Sequence, residues 1–285
     1  MTSGSHLRVL ASSTKTFGFG FRQCIAGWML CCFWLTAQAA PATCVKTVRW
    51  YDDSPYSFRS ADGQLRGLYV DLVKAALKGM QCEARFVEMP WARALVELKA
   101  GRLDILPGAL HTAERETYAH FSRPLNRSPN VLFTSVIAAQ RFKPATLTEL
   151  VGTTFRLGAQ IAVSYGAEYD AALKIPAFRQ QITDVTSRKG AWKMLALDRI
   201  DGIIADEVSA LTELQELKLS TIVVKTAVVV SDQPSMLAIS KASQTLKFVA
   251  ALNGQINSMI SSGEYRRIRD KYVACNTVAE QVRCQ

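Results

Sequence analysis

Histidine is scarce in this chain, with three in 285 residues and only His111 and His120 beyond residue 40. That scarcity tells against a Ser-His-Asp site, whose members can converge from anywhere in a fold, and against a histidine-rich metal centre. Cys-x-x-Cys pairs are missing, so zinc has no ready ligand set. There is no Gly-x-Ser-x-Gly elbow, no phosphate loop, no Gly-x-Gly-x-x-Gly after a strand and no His-Glu-x-x-His. The sequence therefore calls for no catalysis, no metal and no cofactor. Basic runs are lacking too. Lys and Arg outnumber Asp and Glu by 34 to 24, but they are scattered. The excess reads as a solvated basic surface that mildly favours anionic ligands, with no nucleic-acid footprint.

What is present begins with a leader. Arg8, Lys15 and Arg22 precede the apolar run Cys24–Ala37, and the small residues Ala37-Gln38-Ala39-Ala40 follow. Those are the three parts of a secretory signal, with cleavage expected near Ala39 or Ala40. The run is short of the roughly 20 residues that span a bilayer, and no cysteine follows a lipobox. The chain beyond residue 40 is long enough for one large domain or two smaller ones. Four of the seven cysteines, Cys44, Cys82, Cys275 and Cys284, lie beyond the leader. An even number in an oxidising compartment predicts two disulfides, with three pairings open. Cys44 and Cys82 each open a predicted strand, and neighbouring parallel strands start side by side. That favours Cys44–Cys82 and leaves Cys275–Cys284 for the tail.

Strand and helix patterns alternate from the start. Val45–Tyr51 and Ala84–Met89 read as strands, with a helix between them from Leu68 to Lys78 that stops at Gly79. Pro90 opens a helix carrying Trp91, Leu95 and Leu98, and Gly101 closes it before a strand over Leu103–Leu106. Such alternation implies βαβ units and a mostly parallel sheet. A short module recurs, as Arg102-Leu103-Asp104-Ile105 and again as Arg199-Ile200-Asp201-Gly202, each after a helix bearing a tryptophan. Two lobes of similar build would leave that trace. A long apolar strand, Val131–Ala138, precedes a loop at Arg141–Thr146 where the first crossing between lobes is expected. Ser231-Asp232-Gln233-Pro234 marks the return. A helix over Ser243–Ser261 carries Leu246, Val249, Ile256 and Ile260 on one stripe, and a last helix over Glu264–Val273 turns Tyr265, Ile268 and Tyr272 inward.

Two segments carry chemistry. In the first, Thr112 looks like an N-cap and Arg115 falls in the turn that follows. A guanidinium binds a carboxylate bidentately, and beside free N–H groups it makes an anion site. The other reading is a surface arginine on an ordinary capped helix. In the second, Asp206 follows the apolar strand Ile203-Ile204-Ala205, at the strand end where open α/β sheets bind ligands. Here the other reading is an N-cap for the next helix.

These segments sit in a longer pattern. Tyr51–Phe58, Asp62-Gly63 with Gly67, Asp71-Leu72, Pro90-Trp91 and Gly101-Arg102-Leu103-Asp104 come first. Thr112-Ala113-Glu114-Arg115, Phe121-Ser122-Arg123-Pro124, Arg199-Ile200-Asp201 and Gly263-Glu264-Tyr265 follow in order. Together they resemble the family 3 extracellular solute-binding proteins, which serve ABC transporters of polar amino acids. The resemblance implies an α/β, type II periplasmic binding protein fold, two lobes joined by two crossover strands. Residues 1–40 would be the leader, 41–138 with 232–285 lobe 1, and 139–231 lobe 2.

By position, Arg115 would hold a solute carboxylate and Asp206 its ammonium. Trp91 and Tyr56 would be aromatic walls, with Tyr165, Gly108 and Leu110 beside them. Leu110 departs from the family, which usually carries a hydroxyl there, as does Gly158-Ala159-Gln160 in lobe 2. Both departures weaken the case for a plain α-amino acid. The implied role is a periplasmic monomer that closes on a small carboxylate-bearing solute and passes it to an inner-membrane ABC permease. An enzyme on the same fold, like the cyclohexadienyl dehydratases with Glu207 or Glu114 as acid, is the first rival. A ligand-sensing partner of a membrane receptor is the second.

Overall fold

The computed structural model describes residues 44–273. The expected leader and the expected Cys275–Cys284 pairing lie outside the described residues. From the start of that span the chain lays down β1 (Cys44–Trp50), β2 (Phe58–Arg59), β3 (Leu65–Arg66) and α1 (Leu68–Gly79). It continues through β4 (Cys82–Glu88), α2 (Trp91–Lys99), β5 (Ile105–Ala109), α3 (Ala113–Glu116) and β6 (Ala119–Phe121). The middle of the chain supplies β7 (Asn130–Ser135), α4 (Val136–Arg141), β8 (Leu157–Gln160), α5 (Ala167–Ala172) and α6 (Pro176–Gln180). It then adds β9 (Ile182–Val185), α7 (Arg188–Ala196), β10 (Gly202–Asp206), α8 (Glu207–Glu216) and β11 (Val223–Ser231). The chain finishes with β12 (Met236–Ser240), α9 (Leu246–Ser261) and α10 (Glu264–Asp270).

Two five-stranded sheets result. The first has the order β4-β1-β5-β12-β6 and the second β11-β7-β10-β8-β9. In each, the βαβ-connected strands run parallel and the strand entering from a crossover runs antiparallel, β12 beside β5 and β7 beside β10. The inner strands β5, β7, β10 and β12 are mostly buried, apolar runs because both faces are covered. In the first sheet, Ile105, Leu237 and Ile239 pack with α1 and α9, whereas Leu106 and Ala238 pack on the opposite face with Leu98 of α2. In the second, Ile203 and Ala205 pack with Trp192 of α7, and Ile204 packs with Leu132 and Phe155 on the other side.

Each copy of the recurring module uses its aspartate as a tie between elements, with different partners. Asp104 accepts hydrogen bonds from the Thr47 amide (2.7 Å) and from Ser243 and Gln244, tying β1 to the entry of α9. Asp201 is buried and takes Arg156 and Arg141 as ion partners at 2.9 and 2.7 Å.

Several expectations need correction. The stretch Val131–Ala138 is not one strand of lobe 1. β7 ends at Ser135, whose hydroxyl caps α4, and β7 pairs with β10 and β11 in the second sheet. The first crossing therefore lies between β6 and β7, not at Arg141–Thr146, so residues 130–138 leave the 41–138 segment. There Asn126 bridges to Ser235 of the return crossing, and Arg127 pairs with Asp232 at 2.7 Å. α1 runs through Gly79, and the left-handed turn falls on Gln81 (φ 57°) instead. On α9 the buried stripe is Val249, Leu252, Ile256 and Met259, while Leu246 (68% exposed) and Ile260 (42%) face solvent. A stripe advancing by three and four residues from Val249 reaches Leu252 and Met259 and leaves the first turn outside.

Cys44 and Cys82 face each other on the first rung of the β1–β4 pair and are bonded as a disulfide. The closed loop spans a separation of 38 residues. Cross-linking it should stabilise by about 2–4 kcal/mol, mainly by restricting the unfolded chain. Urea titration of the oxidised protein against the Cys44→Ala, Cys82→Ala double variant should show a loss of that size.

Candidate functional site

A cavity of about 330 Å³ lies between the two sheets, at the ends of their parallel strands. Tyr56, Trp91, Gly108, Leu110 and Arg115 reach it from the first lobe, and Tyr165 and Asp206 from the second. All seven ligand-site candidates read from the sequence thus line one space. Glu114 and Glu207, the acids of the enzyme alternative, are not among its lining residues, and Glu207 pairs with Lys225 at 2.7 Å.

Arg115 is placed by a capped turn. The Thr112 hydroxyl accepts from the Arg115 amide at 3.2 Å, as an N-cap does. The side chain is buried, donates from Nη1 to the Leu110 carbonyl at 2.9 Å and stands 5.5 Å from the Trp91 ring centroid. Burial pulls its pKa down. Leu110 therefore contributes backbone where a side-chain hydroxyl was the family habit. Gly108 sits at φ 79°, and a Cβ there would meet the Tyr69 ring at 3.2 Å. Only glycine suits both demands.

Asp206 satisfies both readings offered for it. It caps α8 by accepting from the Ser209 amide at 2.9 Å, and the same oxygen accepts from the Tyr56 hydroxyl across the cleft at 2.9 Å. Burial raises its pKa, against the lowering effect of the Ser209 amide, the Ser128 hydroxyl and the Arg188 charge. Tyr56 is itself fixed on three sides. It stacks on Tyr69 at 4.8 Å, accepts from Asn126 at 3.0 Å, and is backed by Gly67, whose left-handed backbone abuts the Tyr56 carbonyl. Tyr165 is buried, with its hydroxyl accepting from the Gln160 amide at 2.9 Å. Trp91 is held by its indole N–H, which donates to the Ala162 carbonyl of the other lobe at 3.1 Å.

The strongest cross-cleft contact involves residues the sequence reading missed. Arg188, first residue of α7, reaches Asp53 of the first lobe at 2.5 Å and Glu213 of α8 at 2.8 Å. Ser209 also donates to Asp53, and Trp192 to Glu213. Burial works against the Arg188 charge, but the two carboxylates outweigh it and hold the guanidinium firmly protonated. Beside it Lys189 pairs with Asp52 at 2.9 Å. No local pattern marks Arg188, because its partners lie 135 and 25 positions away.

Arg49 was also missed, though a signal existed: it is a cation between the buried residues Val48 and Trp50, near the end of a parallel strand. It donates from Nε to the Met89 carbonyl and lies over the Tyr51 and Trp91 rings. Burial pulls its pKa down to about 10. Among the described residues, no group of three or more His, Cys, Asp or Glu is placed to hold a metal ion. No helix among them is long and apolar enough to cross a membrane.

Two α/β lobes, two crossings side by side and a polar cavity between them define a periplasmic binding protein fold. It superimposes on a histidine kinase sensor domain with similarity to periplasmic binding proteins, at TM-score 0.70 and 21% identity over 82% of this chain and 96% of that one. An ancestral amino acid-binding protein, a precursor of cyclohexadienyl dehydratase, matches at TM-score 0.65 and 22% identity over 80% and 95%. In sequence, the L-arginine-binding protein of Pseudomonas aeruginosa is 24% identical over 76% of this chain and 83% of its own. The profile of the bacterial extracellular solute-binding proteins, family 3, matches residues 48–274, and the chain belongs to that family.

Removing Arg188 would leave Asp53 and Glu213 facing one another without their cation. Breaking a buried pair from one side costs about 3–5 kcal/mol. Arg188→Ala should lose stability of that order in urea titration, well beyond what Lys189→Ala loses at the more exposed neighbouring pair.

Proposed function

We propose that this protein is exported to the periplasm, captures a small carboxylate-bearing solute by hinge closure and delivers it to an ABC permease. The observation that carries the reading is the opposition of Arg115 and Asp206. One is a buried guanidinium on the first lobe and the other a half-buried carboxylate on the second, and both line the same cavity. A zwitterion bridging them would bind both lobes at once, which is the condition for closure.

The magnitudes fit. Taking a two-state hinge from mostly open to mostly closed needs about 5 kcal/mol of differential affinity. Two charge-assisted contacts supply roughly 1.5–3 kcal/mol each, and the direct contacts Asp53–Arg188 and Tyr56–Asp206 add to the closed side. The family and the L-arginine-binding relative support capture rather than turnover. So does the position of Glu114 and Glu207 away from the cavity. The leader supports the periplasmic assignment, and the permease follows from the family's role.

A thermal-shift screen against amino acids, amines, dicarboxylates and prephenate tests this directly. A captured solute at 100 times its dissociation constant should stabilise by about 2.7 kcal/mol, and Arg115→Ala should abolish the shift. Prephenate consumed rather than bound would sink the reading in favour of an enzyme.

The pH dependence has a definite sign. An ammonium group needs Asp206 ionised, and burial holds its pKa above the usual aspartate value. Affinity for an amino-bearing solute should be full above that pKa and fall as pH drops through it. Calorimetric titrations across acidic pH should show the decline, and Asp206→Asn should flatten it at a weaker affinity.

A further inference from the structure

We propose that the captured solute carries two anionic groups, and that Arg49 receives the second. This rests on the reading of Arg115 as the receptor of the first.

The argument starts from which charges in the cavity wall are already matched. Arg188 is held by Asp53 and Glu213, and Lys189 by Asp52 and Glu216. Those pairs neutralise the second-lobe cations and occupy the carboxylates that could otherwise receive a cationic solute. On the first-lobe wall the situation is reversed. Among the described residues, neither Arg49 nor Arg115 forms an ion pair with a carboxylate. Each gives hydrogen bonds to a backbone carbonyl, Arg49 to Met89 at 3.2 Å and Arg115 to Leu110 at 2.9 Å, and Arg115 also meets the Tyr118 hydroxyl. A guanidinium has five N–H donors in a fork shaped for a carboxylate, so both keep donors in reserve.

Both cations meet the same aromatic wall. Each guanidinium carbon stands 5.5 Å from the centroid of the same Trp91 ring, so they lie within twice that distance of each other. Burial disfavours the charge on both and outweighs the acids nearby, Asp53 for Arg49 and Asp170 and Glu114 for Arg115. Asp53 acts on Arg49 from a distance, but its own contacts are with Arg188 and Ser209. Glu88 is exposed at the rim, where solvent screens it. Asp206 projects from the opposite lobe and is engaged by Tyr56 and Ser209. A small solute with two carboxylates a few bonds apart would meet both forks, lay its carbon chain along Trp91, and leave Asp206 for an ammonium if it has one. Small dicarboxylates and acidic amino acids make up that class.

Calorimetric titration of the mature protein with matched acid and amide pairs decides the matter. L-glutamate against L-glutamine, and L-aspartate against L-asparagine, keep shape constant and remove one charge. Within at least one pair the acid should bind about tenfold or more tighter than the amide, the worth of one charge-assisted contact. Arg49→Gln should collapse that ratio, and Arg49→Lys should keep part of it. Glutarate or succinate binding as tightly as the matching amino acid would uphold the two-anion site while denying Asp206 an ammonium. An amide or L-arginine binding as tightly as the acids would overturn the proposal, whatever the variants do. So would an Arg49→Gln effect equal for acid and amide, which marks a wall residue only. If no carboxylate-bearing solute binds, or Arg115→Ala changes nothing, the capture reading itself has failed and this inference falls with it.

Discussion

Arg188, clasped between Asp53 and Glu213, is the interaction on which the arrangement of the site depends. It is a single, mostly shielded cation serving two carboxylates from two different lobes, so parting the lobes separates it from Asp53. Such a cluster contributes little net stability compared with apolar packing, yet breaking it from one side is costly. That asymmetry makes it a register pin. With Arg188 seated, Ser209 meets Asp53 and the end of β10 comes within reach of Tyr56, which places Asp206 in the cavity.

The local architecture was legible in the sequence because it depends on short-range chemistry. Thr112 capping Arg115, Asp206 capping α8, Gly101 and Gly263 in left-handed turns, and the Cys44–Cys82 bridge each follow from a few neighbouring residues. The alternation of strand and helix and the family pattern supplied the two-lobed fold. What escaped was long-range. The strand at residue 131 is equally apolar in either sheet, and only its partners β10 and β11 decide which it joins. Arg188 and Arg49 look like ordinary charged residues until Asp53 and Trp91 are folded against them. On α9, the inward stripe depends on where the helix axis lies over the first sheet, and the terminal apolar residues Leu246 and Ile260 gave a misleading outline.

The departures from the family pattern acquire a physical meaning in the folded protein. Leu110 and the Gly158-Ala159-Gln160 turn offer no hydroxyl, yet backbone groups at both places are in use, the Leu110 carbonyl for Arg115 and the Gln160 amide for Tyr165. Orientation at this site is therefore set by main-chain geometry and by two guanidinium planes against one indole. That design favours recognition by charge number and spacing over recognition by hydroxyl donors.

The order of strands in the first sheet has a consequence in time. β12, made from residues 236–240, lies between β5 and β6 in that sheet, whereas every strand of the second sheet comes from the uninterrupted stretch 130–231. As the polypeptide emerges amino end first, the second sheet can assemble from what has already appeared. The first must wait with a gap between β5 and β6. Its early strands are held in suspense until nearly the whole chain is available, so the half that begins the protein is the half that finishes last.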